Sequence, residues 1–540
     1  MQKENPSSQA PPALKRLMPR ILLTVLVAAG VAFAVISVSR EDSEKAAEAS
    51  TAVEPIISPD APPAQIPRRP PVVMIVMDEF PVDLMLGPDG RIDPVRYPNF
   101  AALAATGTWF KNASTVYDST TRAIPAIFDG QLPRKEDNAT YLSHPNTVFD
   151  LFARRGYRIV RSEDATSLCP PRYCPGSQQQ RPAILPLLAG GRPERLARFF
   201  RQIRPGRPSF YINHVLLPHA PYLYLPSGKQ TRIGYRDPDP GMNAEPGFGD
   251  RFVTQHNQQR LQLQTGYADH QLGNLIRRML RNGTFDQALI ALVADHGIAF
   301  EVGVSDRRTA TRSNIDEIAP VPMFVKAPGQ RRGRTSGTYA RTIDLVPTIA
   351  DILNFKLPYR ADGRSAFSSP ARRRRFVRMI RRDFSGTITV PARAMERRRR
   401  ANVRAKLRLF GSGDIRSLYT GIGPNRSLLG RASDDLEPSG PGIVRASITE
   451  AATLRAVRPS SPLLPTQIGG PVRGGRPGAK RDVAVAVNGR IEAVGRTFYL
   501  RRNPQEYFAV NVPEASLKPG RNTVEVFQVT GGRLRLIARA

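Results

Sequence analysis

A chain of 540 residues is too long for one simple core, and with 41% apolar residues it can build two folded domains with joining segments. Its formal net charge of +33 directs it toward anionic partners, whether membrane surfaces, anionic polymers or nucleic acid, and says nothing about fold. The two cysteines, in Cys169-Pro-Pro-Arg-Tyr-Cys174, lack the second pair that a zinc site needs; they are read as a local disulfide outside the cytoplasm, with two free thiols as the alternative.

Residues 1–20 are polar, with Lys3, Lys15, Arg16 and Arg20, and precede an apolar run at 21–38 about long enough to cross a bilayer. The positive flank predicts the N-terminus inside and everything that follows outside. A cleaved signal peptide is the alternative, but the run is long for one and the small-residue pattern at Ala47-Glu48-Ala49-Ser50 is distant. An uncleaved single-pass anchor in the cytoplasmic membrane is expected, followed at 39–70 by a proline-containing tether without a core.

From 71 to 385, apolar strands alternate with helical patterns, which predicts a mostly parallel α/β sheet with helices on both faces. Strands are expected at 72–78, 158–160, 209–213, 289–293 and 323–325, and helices at 98–106, 147–155, 258–282 and 342–353. The first strand has no polar alternation, as in a strand buried on both faces, and it ends in Asp78-Glu79. In open α/β sheets ligands bind at that carboxyl edge; a polar loop is the alternative. The run 288–294 has the same form and ends in Asp295-His296-Gly297. Side by side, the two strands would gather Asp78, Asp295 and His296, two oxygen ligands and an imidazole that suit a divalent cation with a position left for a nucleophile or substrate.

Between them lies Asp118-Ser119-Thr120-Thr121, hydroxyls at the start of a short apolar helix closing at Gly130. Alone they read as an N-cap; beside a metal, one of them reads as an activated nucleophile. Asn213-His214 leads to Pro218-His219-Ala-Pro, where His219, on a proline-bounded loop, is either structural or a candidate for anion binding or proton transfer. The runs Arg372–375 and Arg397–400 read as a solvated basic face or as a contact for anionic lipid headgroups; nucleic acid is not expected, because no aromatic interleaving accompanies the charge. A basic connecting region is assigned to 386–458. Beyond the Pro/Gly-rich stretch at 459–480, alternation around Asn488-Gly489 predicts a type I′ hairpin, and further strands at 498–500, 507–512 and 523–529 predict a small β-sandwich over 459–540.

In this order, these stretches resemble the sulfatase-like branch of the alkaline phosphatase superfamily over roughly 71–385. The resemblance rests on a strand ending in Asp78-Glu79, the Thr-x-x-Ala-x-Pro helix start, Pro-His219-x-Pro and Ala-Asp295-His296-Gly. It extends to Pro98-Asn-Phe-Ala, Val321-Pro-Met-Phe, Ile343-Asp-Leu-Val-Pro-Thr348 and Asp362-Gly-Arg-Ser365. It implies an alkaline phosphatase-like sheet, metal ligands Asp78, Asp295 and His296, Thr120 at the nucleophile position with Thr121 not excluded, and His219 on the substrate's anionic group. Glu79 takes the place of a second acidic ligand, either bound to the metal or supporting those that are. Sulfatases of the family need a Cys or Ser oxidised to formylglycine and followed by Pro and Arg, whereas this chain has Thr120-Thr-Arg-Ala. Threonine is the nucleophile in the branch's phosphoglycerol and phosphoethanolamine transferases, lipoteichoic acid synthases and related phosphodiesterases, which usually carry several membrane spans where this chain offers one. No further Asp-x-x-x-His set is found, so the resemblance implies one divalent ion (Mn, Mg, Ca or Zn). Arg307 and Arg308 are expected to neutralise the remaining phosphate charge. The expected function is an extracytoplasmic, membrane-anchored metalloenzyme that cleaves or transfers a phosphoester, its anionic substrate a lipid or envelope glycan. A sulfuric ester hydrolase and a non-catalytic envelope protein binding anionic glycans or lipids are the alternatives.

Overall fold

The computed structural model describes residues 64–231, 251–304, 306–437, 444–499 and 504–540. The expected anchor at 21–38 and most of the tether lie outside the described residues, among which no helix is long and apolar enough to cross a membrane.

A seven-stranded sheet organises the larger part of the chain. Its strands run in the order Arg158–Glu163, Ser209–Pro218, Val72–Asp78, Leu289–Ala294, Met323–Lys326, Thr108–Phe110 and Arg334–Ser336. All neighbours are parallel except Met323–Lys326, which is antiparallel to both of its partners. The central pair shows why an unbroken apolar run makes such a strand. Val73, Ile75 and Met77 enter one core with Ile290, Leu292 and Ala294, while Val72, Met74 and Val76 enter a second core on the opposite face with Leu289, Ala291 and Val293. A period of two therefore feeds both faces, and each fully buried aliphatic side chain contributes roughly 1.5–3 kcal/mol.

Element types match the sequence reading more closely than lengths. The strand expected at 209–213 continues to Pro218, because His214 is accepted into the sheet interior, and the long helix begins at Arg251 and runs to Arg281. The segment 342–353 divides into a 3-10 turn, Thr342–Asp344, and a helix, Leu345–Ile352.

Residues 386–410 of the region read as a basic connector instead pack on the body built around this sheet. A hairpin of Phe376–Ile380 and Thr387–Pro391 spans the boundary placed at 385, and the helix Ala392–Phe410 packs behind the turn that follows the first strand. Arg399 is buried there, pairing with Asp83 at 2.9 Å, and Lys406 donates to the carbonyls of Asp83 and Leu84. One member of the second arginine run thus braces the chain just beyond Glu79 rather than meeting solvent.

The C-terminal part forms two four-stranded antiparallel sheets around a common apolar core that includes Val483, Val485, Phe508, Val510 and Val526. It begins earlier than expected, at Arg445–Ala446. Asn488 and Gly489 turn its first hairpin with φ of 52° and 82°, the positive pair that a type I′ turn requires.

His256, on the long helix where it meets this β unit, is fully buried, stacked on Phe252 and 3.4 Å from the amide of Gln467. Burial, reinforced by Arg260, lowers its pKa to about 3. The unfolded chain therefore binds a proton between pH 6.5 and about 3 that the folded chain refuses, so the stabilising contribution is complete above pH 6.5 and is lost as the pH falls. Wild type is expected to lose about 2 kcal/mol more than His256→Gln between pH 7.5 and pH 5. Denaturant titrations at the two pH values check this; equal losses would remove His256 as the cause.

Candidate active site at the carboxyl edge of the sheet

Asp78 is the last residue of its strand, and Glu79 turns the chain away with φ of 59°, a left-handed conformation costing on the order of 1–3 kcal/mol in a non-glycine residue. The neighbouring strand end holds that turn. Glu79 N–H donates to Asp295 Oδ1 at 3.1 Å, Phe80 N–H to the His296 carbonyl at 2.8 Å, and Asp295 N–H to the Met77 carbonyl at 3.0 Å. Gly297 is required by close approach: a Cβ there would lie 2.4 Å from the Glu317 carbonyl oxygen.

Asp78, Asp295 and His296 lie together, each with a ligand atom within 4.8 Å of the others, and all three are buried. His296 Nδ1 donates to the Gly297 carbonyl at 2.9 Å, which leaves the Nε2 lone pair facing the cluster, and burial lowers its pKa toward the neutral, ligating form. Burial also disfavours the charge on Asp78, but His219, His214 and His296 outweigh it and hold the carboxyl well below its ordinary value. Asp295 moves the other way, pushed well up by burial and by the charge of Asp78, and its Oδ2 has no hydrogen-bond partner among the described residues. Two buried carboxylates, one with an orphan oxygen, and an imidazole presenting a lone pair are the donor set that a divalent cation fits.

Thr120 opens the helix Thr120–Asp129, and the residue before it, Ser119, occupies the N-cap without a side-chain cap bond. Its Oγ1 lies 3.2 Å from His296 Nε2 and 3.4 Å from Asp78 Oδ2. Thr121 faces elsewhere: its hydroxyl is 3.4 Å from that of Ser119, and both line an outer groove of about 940 Å³ with Arg122, Lys135 and Arg181.

Glu79 stands beside the cluster rather than in it. Its Oε1 pairs with Arg307 at 2.8 Å and Arg308 at 3.7 Å, and its Oε2 lies 3.8 Å from His219 Nε2. Burial opposes ionisation of Glu79, yet Arg307, His219 and Arg308 together lower its pKa. The three groups expected to bind an anion are therefore gathered around one carboxylate that directly follows Asp78 in the chain. The disulfide joins Cys169 to Cys174 in the segment that follows the strand Arg158–Glu163.

Other residues at the site carried no sequence signal for their roles. His214, read as one of two histidines after a strand, lies inside it, with Nε2 3.3 Å from Asp78 Oδ2. Arg192, fully buried, donates to the carbonyls of Leu216, His219 and Pro221, and Gln264 donates to those of Pro218 and His219, which fixes the His219 loop. Arg382, from the hairpin, bridges Asp118 and Asp306, tying the turn before Thr120 to the loop that carries Arg307.

A family model described as Sulfatase matches residues 70–355. Similar solved structures include a phosphonate monoester hydrolase from Silicibacter pomeroyi, 18% identical, with 59% of this chain and 82% of that one covered at a TM-score of 0.42. A putative sulfatase from Bacteroides fragilis is also 18% identical, with coverages of 58% and 80% and a TM-score of 0.41. A phosphonate monoester hydrolase of Agrobacterium radiobacter is 17% identical, with 58% and 80% covered and a TM-score of 0.39. Since the family match takes in both strands that end in the buried acids and the helix between them that Thr120 opens, over more than half of the residues, the chain belongs to the sulfatase family within the alkaline phosphatase superfamily, whose members are hydrolytic enzymes that bind a divalent metal.

Proposed function

We propose that the protein cleaves or transfers a phosphodiester through a phosphothreonine intermediate formed on Thr120. The observation that supports this reading most is the Thr120 hydroxyl itself, within 3.5 Å of both Asp78 oxygens and 3.2 Å from His296 Nε2, where a threonine offers a nucleophilic oxygen but no route to formylglycine. Asp78, Asp295 and His296 would hold the divalent cation, which supplies Lewis-acid stabilisation of charge and a lowered pKa for a nearby hydroxyl. Asp78, steadied by His214, lies within reach of the Thr120 proton. His219 donates from Nδ1 to the Ala220 carbonyl and presents Nε2 toward Glu79, one residue beyond Asp78, as a candidate for anion binding or proton transfer. Arg307 and Arg308 bind the anion when it competes with Glu79 for them, so Glu79 sets how tightly a phosphate is held. Purified protein given chromogenic phosphodiester, phosphomonoester and sulfate-ester substrates with a series of divalent metals tests the reading. Phosphodiester turnover is expected to dominate, and turnover of the sulfate ester alone would overturn it.

The same reading places the enzyme outside the cytoplasm, held by the run at 21–38 and facing an anionic lipid or envelope glycan as substrate. Its support is the positive flank before the apolar run together with the Cys169–Cys174 disulfide, since such bonds persist in oxidising compartments. Thiol labelling of protein from intact cells without reductant is expected to leave both cysteines unmodified; modification of both would contradict the location.

A further inference from the structure

The helix Ala392–Phe410 carries Arg400, Arg404 and Arg408, four residues apart and so on one face at intervals of about 6 Å. That face forms one wall of a groove of about 770 Å³, separate from the Thr120 site and sharing none of its residues. Five cations and three carboxylates line the groove. Arg399 is committed to Asp83 and Arg400 to Glu396, while among the described residues no hydrogen bond or ion pair holds the guanidinium of Arg404 or Arg408. Lys111, which lies outside the helix, adds a third cation to the lining. Like charges stacked along one helix face repel one another, so the two guanidiniums left without a carboxylate partner, Arg404 and Arg408, are relieved by an anion.

The floor is of a different kind. Leu86, Trp109, Val403 and Leu407 line it, Leu407 half-buried and the other three buried, and the Trp109 indole N–H has no acceptor among the described residues. A free inorganic anion gains nothing from an apolar floor, and a hydroxyl-rich polyanion would lose hydration against it. A molecule with an anionic head and an apolar body satisfies both halves, and the volume lies within the usual range for a ligand cleft. We infer that this groove is a binding site for one anionic phospholipid, its phosphate on Arg404, Arg408 and Lys111 and the start of its acyl chains against Trp109 and Leu407.

Trp109 is the single tryptophan of the chain and so reports on the groove directly. The full-length protein in a nonionic detergent is titrated with dihexanoyl-phosphatidylglycerol, dihexanoyl-phosphatidylcholine, glycerol phosphate and inorganic phosphate while Trp109 emission is followed. A saturable change with the anionic lipid is expected, with much weaker responses to the other three. The double variant Arg404→Gln/Arg408→Gln should bind that lipid about thirtyfold more weakly, from the usual worth of two basic residues against an anionic headgroup. Lys111→Gln, which lies off the helix, should weaken binding about fivefold and serves if the double variant fails to fold. An equal response to the zwitterionic lipid would make the groove merely apolar, and a full response to either free phosphate would make it a simple anion site. Either of these, the absence of any response, or unchanged affinity in the folded variants would overturn the inference.

Discussion

Thr120→Ala is expected to reduce phosphodiester turnover by at least about 10⁴-fold while leaving the protein folded. No neighbouring group can replace the lost oxygen, because Thr121, the adjacent hydroxyl, faces Ser119 and the outer groove. Stability should hardly change. The N-cap position belongs to Ser119, Thr120 makes no cap bond, and alanine is a better helix former than threonine, so the cost should stay below about 1 kcal/mol. Thr120→Ser should keep part of the activity, as serine offers the same atom with a less restricted χ1. Thr121→Ala is the internal control and should retain the chemistry. A dead Thr121→Ala beside an active Thr120→Ala would move the nucleophile by one residue and leave the mechanism standing; native rates in both single variants and in the double variant would end it. Mass spectrometry of enzyme quenched during turnover gives a second readout, a phosphorylated peptide spanning Thr120 that appears only with substrate.

Why Thr120 could be singled out in the sequence, whereas its supports could not, follows from the kinds of interaction involved. The two central strands announce themselves because burial on both faces demands continuous apolar residues, and an acid closing such a run stands out against it. The Asp-His-Gly order is legible because Gly297 meets the Glu317 carbonyl so closely that no larger residue fits. His214 gives no comparable signal: a histidine inside a strand looks like a strand end, and only the register that places it opposite Val76, near Asp78, shows what it touches. Arg192 and Gln264 are polar residues on helices far from the site in sequence, and their value lies in carbonyls of the 216–221 loop that no spacing rule connects to them. The basic runs misled in part for the same reason. Arg399 and Arg400 are adjacent and chemically identical, yet one is buried on Asp83 and the other remains largely exposed, a distinction set by helix phase against a surface that composition does not reveal.

Asp295→Asn is expected to separate the metal-binding role of that carboxylate from its structural one. Oδ1 of Asp295 accepts the backbone N–H groups of Glu79 and His296, at 3.1 and 2.6 Å, while Oδ2 is buried without a hydrogen-bond partner among the described residues. Asparagine keeps an oxygen for the two backbone bonds and replaces the orphan oxygen with a neutral amide, so the strand ends stay laced together. It also removes the repulsion from Asp78 that, with burial, pushes the Asp295 carboxyl up. Metal-free Asp295→Asn should therefore be at least as stable as metal-free wild type, whereas Asp295→Ala, which gives up both backbone bonds, should be less stable by about 1–3 kcal/mol. With a divalent metal the order reverses. Wild type should gain about 2.7 kcal/mol when the ion is present at a hundred times its dissociation constant, while Asp295→Asn, short of one anionic ligand, should gain little and retain no metal after dialysis. Thermal melts with and without each ion, together with elemental analysis, read both effects without any assay of turnover. Stoichiometric metal in Asp295→Asn with the full wild-type stabilisation would remove Asp295 from the ligand set, and a metal-free Asp295→Asn as unstable as Asp295→Ala would show that the charge itself, rather than the two backbone bonds, holds the strand ends in place.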